Sequence, residues 1–195
     1  MTMSERMSVE FFRRDAVSVA ADLLGVRLIF AGVGGIIVET EAYRRDDEAS
    51  HSFRGMTKAN SAMFSEPARA YIYRSFGLHW CLNFVCEEGS AVLIRALQPT
   101  DAIEVMEQRR GIADLRRLCA GPGNLCQALS VTGIMNEWPL LAQPFSLQMP
   151  AQKPVIVNGP RIGITKVVDQ PWRFAVAGSP YLSKPVRQAV PPPIF

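Results

Sequence analysis

The stretch Ile36 to Ser52, "IIVETEAYRRDDEASHS", holds much of what could do chemistry in this chain. Ile36, Val38, Thr40 and Ala42 alternate with Ile37, Glu39, Glu41 and Tyr43, the period-two pattern of a half-buried strand. The pattern puts Glu39, Glu41 and Tyr43 on one face and the smaller, mostly apolar set on the other. A carboxylate beside an aromatic ring, under a following loop, is an arrangement that raises a carboxyl pKa. Such carboxylates suit hydrolysis at an anomeric carbon, where negative charge stabilises an oxocarbenium-like transition state and one carboxylate activates water. An exposed sheet face would accommodate both acids equally well, and the alternation alone does not choose.

Other reactive side chains are sparse. The chain has two histidines, His51 after the strand and His79 further on, too few and too isolated for a histidine-rich metal centre. "SHS" sets serine beside His51, but no G-x-S-x-G elbow occurs anywhere, so a serine hydrolase is not indicated. Cys81, Cys86, Cys119 and Cys126 lack the C-x2-C spacing of a zinc site and read as reduced, buried thiols of a cytosolic protein. "GPGN" at Gly121–Asn124 precedes a helical pattern and is either a plain turn or a phosphate site at a helix start.

The elements that must position these groups follow from pattern. "RRDAVSVAADLLGV" reads as a helix capped by Asp15 and ended by Gly25. "VRLIFAGVGGIIVETEAY" reads as a hairpin turning over Gly32 to Gly35. A polar loop of about twenty residues follows, a length that in a compact domain is usually functional. Arg69–Arg74, Leu78–Cys86 and Ala91–Leu97 form a strand meander. "PTDAIEVMEQRRG" reads as a helix with Thr100 as cap, and "GPGNLCQAL" as a short one. "KPVIVNGPRIGI" and "WRFAVAGS" supply two further strands. The expected fold is α+β: one mixed domain over 1–195, with a curved, mostly antiparallel sheet, flanking helices and loose termini at 1–10 and 186–195.

The first hairpin of the meander is unusual. Its strands hold Tyr71, Tyr73 and Trp80, and its tip reads Ser75-Phe76-Gly77, where Gly, Asn, Asp or Ser is the rule. Phe76 either folds back onto the core or is an apolar wedge for a DNA minor groove, with Arg74 and Arg69 near phosphates. The net charge of +3, carried mostly by arginine, suits a nucleic-acid partner or reflects a GC-rich genome. No run approaches ~18 uncharged apolar residues, and the first residues lack an apolar signal core, so neither a membrane span nor secretion is expected.

Taken in order, "VETEAY", "EASHS", "AMF", "AYIYRSFGLHWCLN", "AVLIRAL", "AGPGNLCQAL", "GPRIGI" and "RFAVAGSPYLS" resemble the alkyladenine (3-methyladenine) DNA glycosylases, from about Phe11 to Ser183. The resemblance implies a monofunctional base-excision repair enzyme whose β-hairpin enters the minor groove of damaged duplex DNA. By resemblance Glu41 is the general base, Arg95 a second ligand of the attacking water, and the main-chain carbonyl of Ile162 a third. Tyr43 and Tyr73 are similar to the rings that sandwich the extruded base, with His51 at its edge. Asn83 resembles the residue that crowds the amine of guanine, and Phe76 stands at the wedge position. No cofactor or metal is implied, and no lysine stands beside these motifs for a lyase step. A monomeric, cytoplasmic, bacterial protein is expected; the long N-terminal extension of animal relatives is missing. The loop "RGMTKANSAMF" is less basic than in many relatives, which bears on DNA affinity. Two rival readings remain: a nucleoside or sugar glycoside hydrolase using the Glu39/Glu41 pair, and a minor-groove module that cuts nothing.

Overall fold

The two longest strands, β2 (Val33–Tyr43) and β5 (Ala91–Asp101), pair antiparallel over most of their length and form the middle of the sheet. The computed structural model describes residues 7–186. The sheet has eight strands, with β3 (Ala70–Ser75), β4 (His79–Val85), β5, β2, β1 (Arg27–Phe30) and β6 (Phe145–Gln148) in that spatial order. On its other edge β2 changes partner. β1 covers Val33 to Ile36, and β8 (Arg173–Val176), itself paired with β7 (Ile156–Gly159), covers Glu39 to Glu41. Every pairing is antiparallel and the sheet curls, as the α+β expectation required.

That change of partner sits beside two irregularities. The β2–β5 register skips Val38 on β2 and Arg95 on β5. A bulge bends its strand, adds twist and re-aims a side chain. Here the bends fall where Glu39, Glu41 and Arg95 must converge.

Helix α2 (Ala16–Asp22) crosses the apolar face of β2, with Asp15 capping it at Val17 N (3.1 Å) and Ser18 N (3.2 Å), as its sequence predicts. Thr40 points into this contact and donates to the Ala20 carbonyl (2.8 Å). β2 is therefore not half-buried as its alternation suggests: its apolar face lies under α2, and Glu39 and Glu41 on the other face are buried too. Helix α1 (Val9–Phe12) starts within the expected loose N-terminus and buries Phe12 edge-on against Phe84, ring centres 6.1 Å apart. Residues 1–6 and 187–195, the rest of the two expected loose ends, lie outside the described residues.

One turn and one helix cap differ from expectation. The first hairpin turns at Ala31–Gly32, φ 48° and 83°, and not over Gly32 to Gly35. Gly34 and Gly35 lie within β2, where a Cβ would sit 2.0 Å from the Leu28 and Gln98 carbonyl oxygens, so they are spent on strand approach. Their bareness also lets β5 run on past Pro99 to Asp101, which takes Thr100 into the strand. Helix α3 (Ile103–Arg110) consequently begins after Ala102 with no side-chain cap, though Gly111 ends it at φ 65° as expected. Helices α4 (Leu115–Leu118) and α5 (Pro122–Leu129) complete the layer against β4 and β5.

The loop from Arg44 to Asn60 is tied down along its length. The Asn60 amide donates to the His51 (2.8 Å) and Gly55 (3.0 Å) carbonyls, and Arg45 N donates to Ser90 Oγ (3.2 Å). It covers a small second core of Met63, Tyr71, Val85 and Ala91 beside the main one.

Candidate active site

Between that loop, the β3–β4 hairpin and the segment after β7 lies a cavity of about 420 Å³, within the ~300–1,000 Å³ typical of small-ligand sites. Tyr43, His51, Tyr73, Phe76, Asn83, Arg95 and Ile162 all line it, so seven of the eight residues singled out in the sequence meet at one place. The eighth, Glu41, is fully buried just beneath its wall, bonded to three of those lining residues.

Glu41 owes its position to the strand and its bulges. Its Oε2 accepts from the Tyr43 hydroxyl (2.9 Å) and Arg95 Nη1 (3.3 Å), and its Oε1 from Ile162 N (2.7 Å). A carboxylate has about four acceptor positions, so one, on Oε1, stays open beside Ile162. Burial, the largest influence, pushes the Glu41 carboxyl above the ordinary glutamate range, against the opposing pull of Arg95, the Ile162 N–H and the Tyr43 hydroxyl. The result is a carboxylate of raised basicity with one lone pair free, which can accept a proton from water.

The walls are aromatic. His51 meets the Tyr73 ring edge-on at 4.5 Å, and Tyr71 lies tilted against Tyr73 at 5.5 Å. His51 Nδ1 shares a 2.8 Å hydrogen bond with the Tyr71 hydroxyl, and burial lowers its pKa, so the imidazole is neutral at pH 7. Asn83, opposite Tyr71 on β4, is fixed by donating to the Tyr71 carbonyl (3.0 Å). Burial also raises the Tyr43 and Tyr73 phenols, which stay protonated.

At the cavity rim the hairpin turns at Phe76 (φ 48°) and Gly77 (φ 68°). Phe76 does not fold back: 88% of it is exposed, with Leu78 beside it at 77%. A left-handed phenylalanine at a hairpin tip is uncommon and strained. Arg74 stacks on Trp80 at 5.5 Å, whereas Arg69 is committed to the Glu137 carbonyl (3.0 Å). The "GPGN" segment backs the site: Pro122 lines the cavity, and Gly121 N is already bonded to the Arg95 carbonyl (2.9 Å). Gly121 adopts φ 109°, which only glycine accepts readily.

Sequence reasoning missed four contributors. Tyr71 orients His51, and its only signal is that it shares a strand face with Tyr73. Asp47 and Arg161 form a wholly buried ion pair behind Tyr43, with the guanidinium 4.7 Å from that ring. Arg161 stands inside the quoted "GPRIGI", but nothing local marks Asp47 as its partner. Arg173 grips Glu39 (2.7 Å), so Glu39 is an anchored acid and no free member of a catalytic pair. Among the described residues, no group of three or more His, Cys, Asp or Glu side chains is placed to hold a metal ion, and no helix is long and apolar enough to cross a membrane.

A basic carboxylate beside a cavity walled by aromatic rings has the shape for a flat, unsaturated ligand and a proton acceptor next to it. The methylpurine-DNA glycosylase family model matches residues 10–180. A protein of Rhizobium meliloti (strain 1021) named "Putative 3-methyladenine DNA glycosylase" is 57% identical over 176 residues, 90% of this chain and 95% of that one. Relatives with the same name in Agrobacterium fabrum and Nitrosospira multiformis are each 51% identical, over 94% and 96% of this chain and 95% and 98% of theirs. The chain belongs to the methylpurine-DNA glycosylase family, DNA repair enzymes that hydrolyse the N-glycosidic bonds of altered bases.

Proposed function

We propose that this protein removes 3-methyladenine, hypoxanthine and similar purines from duplex DNA by extruding the base into the cavity and hydrolysing its N-glycosidic bond with water activated by Glu41. The observation that carries this reading is the open Oε1 position of a buried, hydrogen-bonded Glu41 at the wall of an aromatic cavity. Arg95 and the Ile162 carbonyl are the further ligands of that water. Tyr43 and Tyr73 stack on the base, His51 meets its edge, and Asn83 crowds the exocyclic amine of a normal guanine. Extrusion costs a few kcal/mol, least at a damaged or mispaired site, which supplies part of the selectivity. Each base–ring stack returns ~1–3 kcal/mol. As the bond breaks, the Glu41 carboxylate offsets positive charge growing on the sugar. Among the described residues no lysine lines the cavity, so release stops at an abasic site without strand cleavage. The protein acts as a monomer from the minor groove, with Phe76 as wedge.

A glycoside hydrolase that relies on Glu39 and Glu41 as a pair is disfavoured, because Arg95, Arg173 and Ser183 already occupy Glu39. The direct test is release of free base from a duplex containing one hypoxanthine or one 3-methyladenine. A protein that acts instead on free nucleosides and ignores the duplex is not this enzyme.

The wedge has its own test. Phe76→Gly removes the ring and places the residue best suited to φ 48° at the tip. Thermal stability is expected to hold or rise. Affinity for a lesion duplex falls about tenfold or more, from the ~1–3 kcal/mol of one stack. Release from a single strand, where no gap needs filling, changes little. Equal duplex affinity for parent and variant would remove Phe76 from the DNA contact.

A further inference from the structure

We propose that Glu39 is the positioning residue of the site: it holds Arg95 from behind, so that the guanidinium presents its far side to Glu41. The inference rests on the reading of Glu41 as the base. Glu39 is fully buried and lines no part of the cavity. It accepts from Arg95 Nε (3.2 Å), Arg173 Nε (2.7 Å), Ser183 N (2.6 Å) and Ser183 Oγ (2.8 Å). Three of those donors crowd Oε1 and Ser183 N takes Oε2, so both oxygens are engaged and the carboxylate is held against Arg95.

Arg95 occupies the bulged position of β5 and divides its fork. Nε goes to Glu39, Nη1 to Glu41 (3.3 Å) and Nη2 to Ser183 Oγ (3.4 Å). An arginine fixed at Nε has its plane set, and only then does Nη1 reach Glu41 at a defined angle. The chain segment after β8 completes the hold. Besides Ser183, the Lys184 and Pro185 carbonyls accept from Arg173, which keeps Arg173 turned to Glu39.

Sharing one guanidinium between two carboxylates has a chemical consequence. The groups facing Glu41 are Glu39 and Tyr43 on β2, Tyr73 on β3, Cys81 on β4, Arg95 on β5 and Arg173 on β8. The two phenols and the thiol are pushed up and stay neutral, so the charges Glu41 meets are Glu39 and the two arginines. Arg95 draws the Glu41 carboxyl down, and burial outweighs it. The Glu39 charge adds a smaller push upward.

Single-turnover base release measured from about pH 5 to about pH 9 tests this, because the acid limb reports the base. In Glu39→Gln the plateau rate falls about tenfold or more through loss of alignment. The acid limb moves down through loss of the like charge. Lesion binding stays within about twofold, since Glu39 lines no part of the cavity. A purely structural role would lower the plateau and leave the limb in place, and that result overturns the inference. If Glu39→Gln loses its cooperative thermal transition, Glu39→Gln with Arg173→Gln removes one charge of each sign, and its limb is expected below that of Arg173→Gln alone, which keeps the like charge. Failure of that pair to fold also overturns the inference, assigning Glu39 to the scaffold alone. Glu41→Gln run in parallel separates the two readings: if it stays active, the base assignment fails and this one with it. If it is dead while the Glu39→Gln limb is unmoved, only this one fails.

Discussion

Glu41→Gln abolishes base release, lowering the single-turnover rate on a hypoxanthine or 3-methyladenine duplex by about 10³-fold or more, within the range general-base contributions reach with some charge stabilisation added. Glutamine keeps the shape of the side chain and an acceptor for Ile162 N, but it cannot take a proton and carries no charge for the developing cation at the sugar. Arg95 loses one carboxylate and keeps Glu39, so the cavity wall stays in place and lesion binding survives. Stability does not follow activity. The Glu41 carboxyl is raised in the folded protein, so the fold favours its protonated form. That contribution is fully present below the unfolded glutamate value, about 4.3, and is lost as pH rises through the higher folded value. At neutral pH the ionised side chain is therefore a cost, and the neutral amide escapes it. A melting temperature of Glu41→Gln at or above the parent's at pH 7.5 is expected. For the parent enzyme the same shift predicts a release rate that rises with pH along a limb lying above the ordinary glutamate range. Base release by Glu41→Gln at the parent's rate would remove Glu41 from the chemistry. A non-catalytic minor-groove module predicts that outcome, with no release by either protein.

Much of this site could be read along the chain, and what could not has a common cause. Strand alternation places Glu39, Glu41 and Tyr43 on one face because side-chain direction is a local property. It does not report what covers that face. Two carboxylates in alternation ordinarily mean solvent, and here they mean guanidinium groups brought in from far along the chain: Arg173 is 134 residues from Glu39, and Arg161 is 114 from Asp47. The bulge at Arg95 is likewise invisible, since the register of β5 depends on its fit to β2. The caps divide in the same way. Asp15 holds its own helix through neighbours two and three residues on, whereas Thr100 is claimed by a strand whose extension the bare Gly34 and Gly35 permit. Strand β6 (Phe145–Gln148) is too short for any period to show and exists because β1 offers it an edge. The family motifs pointed to residues that meet at one cavity, and the tertiary pairing shows what the second glutamate, Glu39, holds.

The pair Asp47–Arg161 carries the second large effect. Both side chains are fully buried. The guanidinium meets both Asp47 oxygens and the Ala42 carbonyl (2.9 Å), and it lies against the Tyr43 and Trp172 rings at 4.7 and 5.1 Å. Asp47→Ala strips the counter-charge from a cation with no path to water, at a cost of ~3–5 kcal/mol. For a chain of this length that lowers the melting temperature by about 10 °C. Asp47→Leu combined with Arg161→Met replaces the pair by apolar groups of similar bulk, and most of the lost stability returns. Activity follows a different course. Arg161 precedes Ile162, whose N–H holds Glu41, and it backs the Tyr43 ring that lines the cavity; Asp47 anchors the loop that carries His51. Methionine can fill the space behind Tyr43, but it cannot tie that loop to the 161–162 segment. The double variant is therefore expected to melt near the parent and still release base ~10-fold or more slowly, since small misplacements of catalytic groups are costly. Recovery of rate together with stability would reduce the pair to a scaffold contact. Recovery of stability without rate shows that the ion pair holds the loop carrying His51 and the Glu41 site in register.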